Sequence, residues 1–218
     1  MNKNSYQTIN EHNEYQIPKI KGSIFMGNIF HIESKEEAEK HIKEIEKKYP
    51  DASHHCFAYR YDVQMNLDIF NNKIYTCKYN KVSDAGEPVS TAGKPIMNMI
   101  EKHGLHNVLV VVTRYFGGTL LGVGGLIQAY GECAKQVIEH AKISEEEIMK
   151  TIVFSYNFDL VQVVRNTLNK YQSKVIEEKY EEKVTMKIAI NSGYIEAFKQ
   201  ELFNNSKGEI NLEQQKNL

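Results

Sequence analysis

What the sequence lacks narrows the field first. It has no run of about 18 or more apolar residues, the length a membrane-spanning helix needs. Residues 1–14 are polar and carry neither an apolar signal core nor an Arg-rich transit pattern, so a cytoplasmic protein is expected. The three cysteines, Cys56, Cys77 and Cys133, are odd in number with no CxxC spacing, which argues against a disulfide framework and a structural zinc site. Neither charge is in excess: Lys and Arg number 16 against 16 Asp and Glu in residues 1–141, and 11 against 12 in residues 142–218. A protein gripping long nucleic acid mainly through phosphates shows a basic surplus, so any such binding here is local or shape-led. No Gly-Lys-Ser/Thr completes a Walker loop, the glycine spacing misses the dinucleotide fingerprint, and neither HExxH nor a nucleophile elbow occurs.

What is present is ordinary globular material, 41% hydrophobic and 25% charged. At 218 residues the chain suits two domains, expected at 1–141 and 142–218, in a two-domain fold of the α+β and α/β classes. A strand is expected at 23–32. A helix then opens on the capping box of Ser34 and Glu37 and runs to Tyr49, burying Ala38, Ile42, Ile45 and Tyr49. Alternation over 55–61 predicts a two-faced strand with a hairpin partner at 73–79. Residues 83–88 read as a polar loop, and a second helix runs from Thr91 to Gly104. Five successive apolar residues at 108–112 predict the central strand, buried on both faces. A glycine-dense loop through Gly117, Gly118, Gly122, Gly124 and Gly125 precedes a long helix buried along Leu126, Tyr130, Ala134, Val137 and Ala141. Residues 142–150 read as a charged linker. Strand (151–158), helix (160–171), strand (174–180), strand (184–191), helix (193–203) and strand (209–213) then spell the split β-α-β of a ferredoxin-like domain.

Three clusters carry chemistry. In residues 112–125 a strand ends on Arg114 and Tyr115 and passes through glycines into a helix. This arrangement lets backbone N–H groups at Gly117, Gly118 and Gly122 approach a phosphate, with Arg114 as its fork-shaped partner. The alternative is a tight strand-to-helix crossing in which Arg114 pairs with Asp84 or Glu87. Residues 83–95 gather Ser83, Asp84, Glu87, Thr91 and Lys94 around a helix start, with Ser90 or Thr91 as its cap. Asp84 and Glu87 are candidate bases, and two carboxylates alone are a weak cation site, so no metal and no cofactor is expected. In the third cluster, period 2 puts His54 and Cys56 on one strand face, a base and nucleophile if the thiol pKa is depressed and an inert core pair otherwise. Tyr156 and Phe158 are read as core or hairpin pairs before base-stacking rings.

Taken in order, the three clusters resemble the signature of the IMPACT family in its bacterial, YigZ-like branch. The family's Ala-x-His-x-Cys-x-Ala stands at Ala52, His54, Cys56 and Ala58, its Arg-Tyr-Phe-Gly-Gly at Arg114 to Gly118, and its Leu-Gly-x-Gly-Gly-Leu at Leu121 to Leu126. The usual Ser-Asp-Asp-Gly-Glu-Pro departs at Ala85, which replaces the second Asp, and the usual Gly before Thr-Ala-Gly is Ser90. The resemblance implies an N-terminal domain like domain IV of elongation factor G, of the ribosomal-protein domain-2 type. It also implies a ferredoxin-like C-terminal domain like that factor's domain V. Eukaryotic relatives of the N-terminal domain regulate translation with an extra partner-binding domain that this sequence lacks.

The expected function is that of a nucleic-acid- or ribosome-associated regulator of translation with a phosphate-binding loop, its partners RNA or the ribosome and no membrane. The competing expectation is a hydrolase or transferase acting on a phosphorylated small molecule, with Asp84 or Glu87 as base, His54 as a second candidate and Arg114 as anion clamp. The missing catalytic constellation favours binding over catalysis. The oligomeric state is left open.

Overall fold

Residues 108–112 form the middle of a strand whose side chains are all withdrawn from solvent, and the first unit is assembled around them. The computed structural model describes residues 5–64, 76–210 and Leu212. Its contacts divide into two compact units, one of Tyr6–Val63 and Cys77–Glu146, the other chiefly from Glu147 onward.

In the first unit, β1 (Ser5–Ile9), β2 (Asn13–Gln16) and β3 (Ile24–His31) are followed by α1 (Lys35–Lys48) and β4 (His54–Gln64). Next come β5 (Thr76–Ser83), α2 (Gly93–Lys102), β6 (Val108–Tyr115), α3 (Gly122–Glu139) and β7 (Ile143–Glu147). Five strands lie in the order β2-β3-β6-β4-β5, and β6 is antiparallel to both neighbours. Its odd and even residues face different helices. Leu109 and Val111 pack with Ile42 and Ile45 of α1, whereas Val108, Val110 and Val112 pack with Ile96 of α2 and Tyr130 of α3. Both faces being covered explains a continuous apolar run in an antiparallel strand. Ser34 caps α1 as expected, its hydroxyl accepting from the Glu37 N–H at 3.2 Å.

Several boundaries differ from expectation. The second helix begins at Gly93, and the third at Gly122, so Gly122, Gly124 and Gly125 form its first turn. The expected hairpin partner is β5, and the part of that expectation at residues 73–75 lies outside the described residues. The segment 142–150 does contain the boundary between the two units, at Glu147, but it is not irregular. Most of it is β7, which pairs with β1 to make a separate two-stranded sheet.

In the second unit, β8 (Met149–Tyr156), a 3-10 turn (Phe158–Leu160), α4 (Val161–Lys170), β9 (Lys174–Tyr180), β10 (Val184–Asn191), a second 3-10 turn (Ser192–Tyr194) and α5 (Ile195–Asn205) follow the expected order. The sheet order β8-β10-β9 is that of a split β-α-β unit. Alternate residues Ile152, Phe154 and Tyr156 of β8 and Val184, Met186, Ile188 and Ile190 of β10 bury one face against Val164, Leu168, Phe198 and Leu202 of the helices. The expected last strand is not formed by Glu209, Ile210 or Leu212, and residues 211 and 213 lie outside the described residues. Ile210 and Leu212 nevertheless fill the core. No described helix is long and apolar enough to cross a membrane.

Candidate functional site

The antiparallel register puts Phe25 of β3, Arg114 of β6 and His54 of β4 side by side in one row, at the end of the sheet where β6 finishes. The guanidinium of Arg114 lies 5.5 Å from the Phe25 ring and 5.6 Å from the Phe116 ring. Arg114 is only 4% exposed. Its Nη1 donates to Glu87 Oε1 at 2.5 Å and its Nη2 to the Ser23 hydroxyl at 3.3 Å, while Nε has no hydrogen-bond partner among the described residues. Of the two pairings open to it, the arginine takes Glu87. Tyr130, reaching down from α3, donates its hydroxyl to the same Glu87 oxygen at 2.8 Å. Burial drives the Tyr130 phenol far above its ordinary range, so it stays a donor.

Asp84 is occupied otherwise. Its Oδ1 accepts from the N–H groups of Ala92 and Gly93, each at 2.9 Å, and its Oδ2 from the N–H of Ser90 at 2.8 Å. Burial alone would raise this carboxyl, but the three backbone donors outweigh it and hold the pKa below the usual value. Asp84 therefore caps α2 from eight residues upstream. Neither Ser90 nor Thr91 is the cap, because the Thr91 hydroxyl turns back to donate to the Pro88 carbonyl at 2.6 Å. Ser83 closes the same loop, its hydroxyl accepting from the Ala85 N–H at 3.3 Å. The two departures from the family motif sit where the backbone is left-handed, Ala85 at φ 44° and Ser90 at φ 62°.

His54 Nδ1–H donates to the Ala85 carbonyl at 2.9 Å, leaving Nε2 3.8 Å from Glu87 Oε1. Cys56 lies one step further in, its thiol donating to the Asp84 carbonyl at 3.0 Å. Burial pushes the Cys56 thiol up to about 12, the opposite of what a nucleophile needs. Histidine and cysteine thus share a face as expected, but both are engaged in fastening the 83–92 loop to the sheet.

Above this buried base runs an exposed ridge. Gly117 crosses Gly22 so closely that a Cβ on Gly117 would stand 1.9 Å from the Gly22 carbonyl carbon, so no side chain is accommodated there. The Ser23 hydroxyl accepts from the Gly117 N–H and the Ser53 hydroxyl from the Phe116 N–H, each at 3.1 Å. Tyr115 donates its hydroxyl to Asp51 at 3.0 Å. From Gly118 onward the picture changes. The N–H groups of Gly118, Leu120 and Leu121 have no acceptor among the described residues, and α3 has no capping side chain to meet its first-turn donors. The side chains here are exposed and apolar: Val89 at 88%, Leu120 at 82%, and Phe116, Val123 and Ile127 to lesser degrees. Lys19 and Lys21, next to Gly22, and Lys94, in the first turn of α2, are exposed and form no ion pair among the described residues.

Sequence reasoning found Arg114, Glu87, Asp84, His54, Cys56 and the glycines, which do converge. It missed Ser23, Tyr130, Lys19 and Lys21. Tyr130 carried only the signal of a buried helix stripe, and Ser23 only that of the first residue of an expected strand.

Comparison with known proteins bears on this site directly. A family model described as the Impact N-terminal domain matches residues 21–138, which include every residue of the buried network. A second, a domain of unknown function (DUF1949), matches residues 154–209. The IMPACT family member YvyE of Bacillus subtilis is 29% identical over 96% of this chain and 91% of its own. An IMPACT family member of Haemophilus influenzae is 32% identical over 90% of this chain and 95% of its own. A crystal structure described as that of a hypothetical protein superposes with a TM-score of 0.71 at 25% identity, covering 95% of both chains.

Proposed function

The chain belongs to the IMPACT family, and from that premise we propose that it is a cytosolic, ribosome-associated RNA-binding protein acting on translation. It holds a phosphate-bearing strand at the end of the sheet where α2 and α3 begin. One observation carries the reading: a ridge of backbone N–H donors without acceptors, flanked by Lys19, Lys21 and Lys94 and by exposed apolar side chains. Backbone donors at the start of a helix suit a phosphate, and apolar side chains around them suit unstacked bases. Arg114 serves this surface from below. It neutralises Glu87 and, with Ser23 and Phe116, keeps the ridge in one shape. The same facts favour binding over a hydrolase or transferase, since Asp84 is spent on backbone donors, Glu87 on Arg114 and Tyr130, and Cys56 is held as a thiol.

The test is co-sedimentation with ribosomes and binding of single-stranded RNA octamers across rising salt. Three lysines on a single strand give a log–log salt slope of about −2. Leu120→Asp and Lys21→Glu are expected to abolish binding while the chain stays folded. Binding that neither variant weakens would place the RNA elsewhere, and no binding at low salt would end the reading.

A further inference from the structure

We propose that β5, the outermost strand of the five-stranded sheet, takes an acidic, extended segment of a partner protein as an added strand. The surface is separate from the ridge, and the inference does not depend on the RNA reading. β5 is eight residues long and ends the order β2-β3-β6-β4-β5, so β4 pairs with one of its edges and no described strand with the other. Residues 78–82 are exposed in unbroken succession, so this stretch stands clear on both faces, where β6 is covered on both. Alternate residues of such a strand turn their N–H and C=O outward. Among the described residues, no backbone group outside the sheet bonds to residues 76–82. The opposite edge of the sheet, β2, is only four residues long, and β9 of the second unit carries a register shift against β10 that blunts strand addition.

The side chains specify the occupant. Tyr79 stacks on Tyr61 of β4, the ring planes within 11° of parallel and the centroids 5.3 Å apart. Alternation puts Lys81 beside Tyr79 on that face, and Lys78, Asn80 and Val82 on the other. Each face thus offers one cation and one half-exposed apolar group, Lys81 with Tyr79 at 45% and Lys78 with Val82 at 44%. Residues 76–83 contain no acid. Lys78 and Lys81 form no ion pair among the described residues, and Asp62, the acid of neighbouring β4, is held by His106 at 2.6 Å. Directly opposed residues of paired strands share a face and interact, unlike charges favourably and like charges unfavourably. An antiparallel occupant therefore reads apolar, acid, any residue, apolar, acid, facing Val82, Lys81, Asn80, Tyr79 and Lys78 in turn. A second copy of β5 would bring lysines against lysines. RNA is disfavoured as well, because outward C=O groups repel phosphate oxygens, whereas a peptide strand supplies both donor and acceptor. Edge lysines turn away strands of their own charge, and here they admit the opposite one.

The experiment measures fluorescence anisotropy of the full chain with the labelled peptide Ser-Thr-Val-Glu-Thr-Ile-Glu-Thr-Ser. Saturable binding that weakens as salt rises is expected. Lys78→Glu combined with Lys81→Glu should weaken it roughly tenfold or more. The same peptide with Lys in place of both Glu should bind the double variant and not wild type. Methylating alternate amides of the peptide removes the donors of one edge only, so of the two alternately methylated peptides one should lose binding and the other keep it. Both losing it, or neither, would refute strand addition. No binding at low salt, or equal binding by the double variant, overturns the proposal. Both lysines are exposed, and an unchanged urea midpoint checks that the variant folds. A wild-type dimer that the double variant turns into monomer in sedimentation gives the edge to a second copy, and the proposal falls. It falls equally if uridine octamers displace the peptide and bind wild type but not the double variant. Leu120→Asp and Lys21→Glu should leave peptide binding unchanged, so the fates of this proposal and of the RNA reading are read separately.

Discussion

Replacing Ser90 by glycine should make this protein more stable, although it removes a side chain. Ser90 has φ 62°, in the left-handed region, and a residue with a Cβ there costs about 1–2 kcal/mol. Glycine escapes that cost but loses roughly 0.5–1 kcal/mol more backbone entropy on folding. The Ser90 hydroxyl makes no hydrogen bond among the described residues, and the bond that matters, from the Ser90 N–H to Asp84 Oδ2, survives in glycine. The net gain is about 0.5–1 kcal/mol, a rise in melting temperature of roughly 1–4 °C for a chain of this size. Val89→Gly is the internal control. Val89 is the preceding residue, is 88% exposed and does not have positive φ, so glycine there brings the entropy loss without relief. It should lower stability by about 0.5–1 kcal/mol. Urea unfolding of the two variants beside wild type decides the matter. Ser90→Gly falling at or below wild type, together with Val89→Gly, would refute the strain argument.

Asp84→Asn should cost about 1–3 kcal/mol, because one oxygen becomes an NH2 facing the Ser90 N–H. The folded Asp84 pKa lies below its unfolded value, so its contribution is complete above pH ~4 and is lost as pH falls through the lower folded value. The variant should therefore show a shallower acid limb in a stability-versus-pH series, and an unchanged limb would contradict the assignment. Glu87→Leu strands the buried Arg114 charge and should destabilise by roughly 3–5 kcal/mol, against about 1.5–3 kcal/mol for Tyr130→Phe, both read by urea denaturation. Cys56, with its thiol at about 12, should resist iodoacetamide at pH 8 until urea unfolds the chain; mass-spectrometric mapping of early alkylation at Cys56 would contradict its burial. Gly117→Ala should cost at least about 2 kcal/mol, since the added carbon meets backbone that cannot move aside, and a wild-type midpoint would disprove the tight crossing.

Local signals were readable where the physics is local. The Ser34 and Glu37 box set the start of α1, and the apolar run at 108–112 marked the central strand, because each is decided within a few residues. Gly122, Gly124 and Gly125 misled, since glycine is a poor helix former and only packing of α3 on the sheet through Leu126 and Tyr130 makes that turn helical. The charged residues 143–147 looked like a linker because the strand they form depends on a partner at residues 5–9. Similarly, no local rule chooses between Asp84 and Glu87 for Arg114. The choice is made when Asp84 is taken up by the N–H groups of Ser90, Ala92 and Gly93. The glycines and charges of the site were visible, and the partners that fix their roles were not.

The pairing of β1 with β7 also sets a schedule. During synthesis the residues of β1 leave the ribosome long before their partner exists, and at 5–20 residues per second the wait is on the order of ten seconds. Over that time the first unit has most of its sheet, but its opening strand is held only on one side, at Gln7 against Leu105 and His106, and its other edge waits for β7. Its last strand is thus made directly before the second unit begins at Glu147, so each nascent chain completes one folding unit as it starts the next.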